Sequence, residues 1–437
     1  MTRQPLSPVD RRLIEANLNK AYLYQFLMSF QLWWPIWVVY LTDKRGLSLT
    51  QITALDSVFW LIIVVAQVPA GAIADRWGRK SALILAALFL SAGILVFGLA
   101  DTYLLILISY AGWGLGLAFQ SAGDSAFLFD SLKILGRPEE FQKVFGRYWG
   151  VASVGVIGGL LLGAPVAAAT DLSLPIVISA GIALLAAGVA LSFREPALGL
   201  LGPSSASPAN ATAGAPGLEA RLSFGDHMRE SFRLAYRQPQ VRYVLLYGAV
   251  LGVATFVPIL FIQPFLVRHD VSVGNLGLFQ VPMRVMAIVG ALAAYRISAA
   301  VGERRTMVLM PVVLAMGYAA LGIWDTAYAY AAFPVVSLVS MMGNPVVADY
   351  LNRRIPSEQR ATILSIRQLV FSLLLAPIAP VLGLVADQVS LMGAFWASAL
   401  LVAAPMPLIF AVWWRAEARE PAPEVATAEA EAAPAGE

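Results

Sequence analysis

The chain has 437 residues, 59% hydrophobic and 13% charged, with a net charge of +3 and a mean hydropathy of +0.72. Soluble domains are nearer half apolar and a quarter charged, so disorder, a soluble multidomain enzyme and a secreted disulfide scaffold are excluded. With no cysteine and only His227 and His269, thiolate chemistry, Cys-ligated metals and a His cluster drop out as well, leaving an all-α polytopic membrane protein.

The first 19 residues are polar and carry no short apolar core of a signal peptide. Within them, Ser7-Pro8-Val9-Asp10 has the capping-box spacing with Pro in the first turn, which predicts a short surface helix leading into the first span. Twelve apolar runs follow, at 20–41, 53–74, 81–100, 103–132, 144–169, 174–193, 243–268, 274–300, 306–324, 327–351, 361–387 and 391–415. Each is long enough to cross the hydrocarbon layer as a helix, and none has the short alternating pattern of a membrane β-barrel. The longest break, 194–240, splits them six and six, giving bundles at 20–193 and 241–415. Its first part, 199–217, is rich in Gly, Pro, Ala and Ser and reads as flexible linker. Its second part starts at Ser223-Phe224-Gly225-Asp226 and interleaves Met228, Phe232 and Leu234 with Arg229, Arg233 and Arg237. That is the pattern of a basic amphipathic helix on the inner leaflet. The tail, 416–437, is expected to be disordered.

Lysine and arginine orient the chain. With both termini in the cytoplasm, Lys44, Arg45 and Arg268 fall in outer loops and Arg284 inside a span. All the other Lys and Arg lie on the cytoplasmic side or at its helix ends. The basic balance is therefore a topology signal rather than a nucleic-acid footprint, and the expected location is the cell's inner or plasma membrane. The two halves also rhyme. Gly71 and Gly78-Arg79-Lys80 around the end of span 2 match Gly290 and Gly302-Glu303-Arg304-Arg305 around the end of span 8, and Asp130 matches Asp349. The offsets are all about 220 residues, as a duplicated bundle requires.

Residues 71–80 read Gly-Ala-Ile-Ala-Asp-Arg-Trp-Gly-Arg-Lys. Elementary chemistry assigns Gly71 to close helix packing, Gly78 to a tight turn, and Asp75 to the positive N-terminus of a helix. Arg76, Arg79 and Lys80 hold the loop on the cytoplasmic side and can pair with a carboxylate. The stretch resembles the signature loop between helices 2 and 3 of the major facilitator superfamily, G-x-x-x-D-R-x-G-R-[KR], at every defined position. Asn352-Arg353-Arg354-Ile355-Pro356 and Arg360-Ala361-Thr362 are similar to the family's helix 10–11 junction. The resemblance covers about 20–415 and implies two pseudo-symmetric six-helix bundles. It also implies a loop that latches them when the outside opens, with Asp130 as the acidic partner of a loop arginine. Three features of the family's drug/proton antiporters are altered. Ile108 and Ser109 stand where helix 4 would carry Arg before Gly112, only Gly158-Gly159 remain of the helix 5 motif, and Gln67 replaces the acid before Pro69-Ala70-Gly71.

Charge at membrane depth costs at least about 2.5–3.5 kcal/mol and should line a cavity or find a partner. Asp124 lies well inside span 4, with Gln120 one turn earlier on the same face. It is either a proton-coupling carboxyl or a structural partner of neighbouring helices. Arg284, near mid-depth in span 8, reads first as a packing or ion-pair residue and second as an anion contact. Asp56, near the outer end of span 2, is expected at the interface. Gln25, Ser29 and Trp33 in the middle of span 1 are candidate substrate contacts on a polar and aromatic stripe.

No nucleophile–base pair, P-loop or metal constellation occurs, so the chain is not expected to be an enzyme or to need a cofactor. The leading expectation is a secondary transporter of a small molecule, exporting amphipathic or hydrophobic compounds with protons as the coupling ion. Uptake or exchange of a small organic anion through Arg284 is the alternative, and a non-transporting sensor or scaffold is the alternative of another class. Membrane lipid is the expected surrounding; no nucleic acid and no obligate protein partner are expected.

Overall fold

The computed structural model describes residues 8–196, 239–354 and 360–419. The amphipathic stretch expected at 223–237, most of the 194–240 linker, Ile355-Pro356 and the tail beyond 419 lie outside the described residues. The described residues are helical, without strands. They fall into two compact units, 8–196 with Asp270–Val281, and 239–269 with 282–354 and 360–419.

The first unit holds α1 (Pro8–Ser29), α2 (Trp37–Val39), α3 (Leu49–Trp77), α4 (Arg79–Leu99), α5 (Tyr103–Ile134), α6 (Phe141–Ala169) and α7 (Leu174–Leu191). Their starts follow from local chemistry. Ser48 and Gln51 form a capping box on α3, and the Thr102 hydroxyl accepts from the Leu105 amide on α5. Helix α4 packs between α5 and α7, α3 lies on α5, and α1 lies on α6 and α7. The second unit holds α8 (Pro239–Arg268), most of α9 (Leu276–Val301), α10 (Glu303–Ile323), α11 (Ala332–Arg354), α12 (Arg360–Gln388), α13 (Leu391–Ala403) and α14 (Pro405–Arg419). There α8 packs against α11, α12 and α14, and α10 against α11 and α13. Helix α9 changes units at Pro282, so its first turns go with the first unit rather than with the bundle at 241–415. Helix α14 continues to Arg419, past the expected start of a disordered tail at 416. Large apolar side chains such as Val65, Leu185, Leu292 and Leu400 stay exposed, as lipid-facing residues should.

Eleven helices among the described residues are long and apolar enough to cross a membrane. The expected first span is the exception. Helix α1 ends at Ser29, residues 30–36 are irregular, and helix resumes at Trp37. The cause lies on α6. Gly155, Gly159 and Gly163 stand one turn apart and let the backbone of residues 26–32 press against it: a Cβ on Gly159 would lie 2.5 Å from the Gln31 carbonyl oxygen, and one on Gly163 would overlap the Leu32 carbonyl. Pro35 in the break has no N–H to continue a helix. Irregular backbone at membrane depth must be satisfied by protein, and here it is. The Leu32 N–H donates to Ser179 Oγ at 2.8 Å, Gln280 Nε2 donates to the Pro35 carbonyl at 2.9 Å, and Gln31 Nε2 donates to Met28 and Leu27 carbonyls.

The two halves share a local geometry as well as a motif. Gly78 and Gly302 precede α4 and α10 with the same φ of +93°, a region open to glycine but strained for other residues. At the opposite ends of the helices, ion pairs tie the loops. Lys44 Nζ meets Asp171 Oδ2 at 2.6 Å, and Arg268 meets Asp325 Oδ2 at 2.5 Å. Hydrogen bonds from Lys44 and from Arg268 hold these two carboxyls below the usual aspartate range.

Candidate functional site

Helices α1, α5 and α6 bring together a buried polar cluster. Gln25 is 2% exposed, and its Oε1 accepts from Gln120 Nε2 at 2.9 Å. Tyr148, fully buried on α6, lies near Gln120. One turn along α5, Asp124 is 8% exposed; its Oδ1 accepts from the Ser125 N–H at 2.6 Å, and its field reaches Tyr24 and Tyr148. Tyr24 is fixed by donating to the Leu83 carbonyl at 2.9 Å. The helical spacing that puts Gln120 and Asp124 on one face thus faces them toward the Gln25 position of α1. The two tyrosines were not singled out from the sequence.

The other candidates disperse. Ser29 ends α1, half-buried, against the space that Gly155 leaves open. Trp33 lies in the break rather than on a helical stripe, 3% exposed, stacked on Trp34 at 4.7 Å and edge-on to Trp113 at 4.9 Å. Phe59, Phe97 and Tyr110 complete that aromatic cluster. Gln67 is half-buried on α3. Arg284 is half-buried on α9, in the second unit, between buried Met283 and exposed Val285. Asp56, near the start of α3, is 2% exposed inside the first unit, where α5 packs on α3.

The loop at 71–80 has a different wiring from the one its residue types implied. Among the described residues nothing lies within 4 Å of where a Cβ on Gly71 would stand, so no close helix packing is seen there. Asp75 does not cap a helix; it pairs with Arg79 at 2.7 Å. The N-terminus of α4 is capped instead by Glu195, whose carboxylate accepts from the Arg79 N–H at 2.7 Å and the Lys80 N–H at 2.8 Å. A Cβ on Gly78 would fall 2.6 Å from that carboxylate, which could swing aside only by leaving the helix end, and the φ of +93° is what calls for glycine there. Arg79 is 7% exposed and reaches toward Asp130, which is fully buried, at 3.9 Å. Arg76 is exposed and Lys80 half-buried. Glu195 is anchored by its neighbours: Arg194 N–H donates to Asn17 Oδ1, and Asn17 Nδ2 returns a bond to the Arg194 carbonyl. Nothing local in the sequence marks Glu195, which lies 116 residues from Arg79.

Among the described residues no cluster of His, Asp or Glu is arranged to hold a metal. Comparison with known proteins gives a consistent picture. The family model described as Major Facilitator Superfamily matches residues 22–380. Multidrug resistance protein 1 of Bacillus subtilis (strain 168) is 32% identical over 155 residues, 35% of this chain and 39% of that protein. The match therefore spans well under half the length of that relative. Among solved structures, the nucleoside transporter NupG superposes with a TM-score of 0.72 at 12% identity, covering 91% of this chain and 98% of that one. A bacterial homologue of the human lysosomal transporter Spinster, inward-facing and occupied, gives 0.71 at 16% identity, covering 93% and 97%. At such identities the likeness is one of fold.

Proposed function

The chain belongs to the major facilitator superfamily, as a multi-pass membrane transporter of a small molecule rather than an enzyme, and from that premise we propose that it exports amphipathic or hydrophobic compounds, driven by protons through Asp124. The observation that carries this reading is the buried Gln25–Gln120 bridge beside Asp124, Tyr24 and Tyr148. Amides and phenols in an apolar wall orient a ligand without demanding a fixed charge, which suits a varied set of amphipathic solutes. A carboxyl in the same wall can load and release a proton as the two bundles alternate. The partial likeness to the multidrug resistance protein supports the direction. The lysine and arginine distribution supports cytoplasmic termini in a plasma membrane, and the Asp130–Arg79–Asp75 chain supports a latch role for the 71–80 loop. In proteoliposomes, Asp124→Asn is expected to abolish proton-gradient-driven dye transport while leaving dye binding; unchanged coupling would remove Asp124 from the mechanism.

A second reading rests on Arg284, a guanidinium half-buried within a spanning helix. It supports uptake or exchange of a small organic anion. Uptake of a carboxylate probe that survives Arg284→Gln at full rate excludes it.

A further inference from the structure

The transport reading makes no use of His269, and the two halves differ there. The offset that carries Gly78 to Gly302 also carries Arg45 to His269 and Asp101 to Asp325. Both pairs are made. Arg45 Nη1 meets Asp101 Oδ1 at 2.6 Å, in the turn between α4 and α5. His269 Nε2 lies 3.2 Å from Asp325 Oδ1, in the turn between α10 and α11. The two basic side chains sit at the same depth, Arg45 12% exposed and His269 11%. Arginine is charged at every relevant pH. Histidine gains and loses its charge between about pH 5 and 8. The same joint is thus built with a permanent cation in the first half and a switchable one in the second.

The surroundings of His269 fit the charged ring. Its other nitrogen, Nδ1, lies 2.9 Å from the Phe265 carbonyl oxygen, so an acceptor faces each ring nitrogen. A neutral imidazole has one N–H and must turn a lone pair on one of these oxygens; only the protonated ring donates to both. His269 also follows directly on the C-terminus of α8, where a helix favours a cation. Arg268 is the opposing charge. It grips the same carboxylate, Nη2 to Oδ2 at 2.5 Å and Nε to Oδ1 at 3.0 Å, and so keeps Asp325 ionised as an acceptor. Asp270, next in the chain, adds an exposed carboxylate. The ring stacks on Phe265 at 4.4 Å, and behind Phe265 stand the uncharged Phe333 of α11 and Phe395 of α13, with Tyr330 beside Phe333. His269 is also the last residue before the chain leaves the second unit: Asp270, with a φ of 58°, begins the segment that belongs to the first.

We propose that His269 and Asp325 form a proton-operated clasp at this end of the second bundle, the switchable counterpart of Arg45–Asp101 in the first. Protonated, His269 ties the end of α8 to the turn before α11. On release, one N–H bond breaks, its electron pair stays on the ring nitrogen and the proton passes to water; one of the two contacts is lost, and Arg268 holds Asp325 alone. The clasp therefore loosens as pH rises on the side of the membrane that these loops face, while the Arg45–Asp101 joint stays closed. It is independent of which solute is carried and of Asp124.

The chain has only two histidines, so His227→Gln leaves a single imidazole to observe. Nitrogen NMR of that full chain in lipid nanodiscs, labelled in its histidine ring, is expected to show hydrogen on both ring nitrogens at low pH and one titration to a neutral ring. The midpoint should fall in Asp325→Asn. A ring that never gains the second hydrogen through the histidine range, or a midpoint unmoved in Asp325→Asn, overturns the proposal. Hydrogen exchange of residues 322–328, corrected for its intrinsic pH dependence, reads the clasp itself. In the wild type it should be slow at low pH and quicken with the same midpoint. His269→Gln should lose this dependence, and His269→Arg, which restores the first half's permanent cation, should stay slow throughout. Wild-type pH dependence in His269→Gln overturns the proposal, and the NMR result stands by itself if either variant fails to fold. Neither readout needs a solute, so intact coupling in Asp124→Asn would refute the export mechanism and leave the clasp untouched.

Discussion

Replacing Gly159 by alanine tests the account of the broken first helix. In an ordinary helix, Gly→Ala stabilises by about 0.8–1 kcal/mol through backbone entropy. At Gly159 the new Cβ would stand 2.5 Å from the Gln31 carbonyl oxygen and 3.0 Å from its carbon. Carbon–oxygen contacts settle near 3.3–3.6 Å, so the 26–32 backbone must retreat by about 1 Å. Retreat strains the bond from Leu32 N–H to Ser179 Oγ, and overpacking of this kind costs about 1–3 kcal/mol. The expected net effect is a loss of up to about 2 kcal/mol once the propensity gain is deducted. Gly150 is the matched control: it is on the same helix, and a Cβ there meets nothing within 4 Å. Thermal unfolding of the purified protein, followed by tryptophan emission, should place Gly159→Ala below wild type and Gly150→Ala at or above it. If Gly159→Ala melts with or above Gly150→Ala, the first helix does not rest on α6 as described, and the glycine ladder is not the cause of the break.

Three further outcomes follow from the structure. Gln120→Leu leaves the buried Gln25 Oε1 without its 2.9 Å donor and should cost about 1–3 kcal/mol, whereas the double change Gln25→Leu/Gln120→Leu should cost less than the two single changes summed, as a double-mutant cycle will show. Arg79→Gln strands Asp130 fully buried and should destabilise by about 3 kcal/mol, with Asp130→Asn restoring much of the loss in a melt. The Arg268–Asp325 pair gives a pH signature: because the Asp325 carboxyl is held below its ordinary value by Arg268, its contribution is complete above the unfolded carboxyl range and fades as pH falls below about 4. The contribution is small because both groups are about half exposed, and melts of Arg268→Gln should lose that part of the acid sensitivity.

Much of the helical plan was legible. Apolar run length located eleven spanning helices to within a few residues at most ends, because burial in lipid imposes length directly. Gly78 was legible because a tight turn between two helices needs a positive φ. The pairing of a loop arginine with Asp130 was implied by the resemblance of the 71–80 stretch to the family's signature loop; the arginine nearest Asp130 is Arg79, and Asp75 joins the same chain of charges. What could not be read is non-local. The break after Ser29 does not show in the length of the run at 20–41, although Pro35 lies within it; the groups that hold the break sit on α6, α7 and α9. Glu195 caps α4 from the far end of the bundle, with no local signal. That Asp56 is 2% exposed, on a helix against which α5 packs, has no local signal either.

The broken first helix also bears on how the protein is made. Residues 30–36 leave the ribosome well before the groups that satisfy and house them: the glycines of α6, Ser179 of α7, and Gln280. Until residue 280 has been synthesised, the Pro35 carbonyl lacks its side-chain donor. This segment therefore settles long after it is made, and the order of assembly in the membrane runs against the order of synthesis.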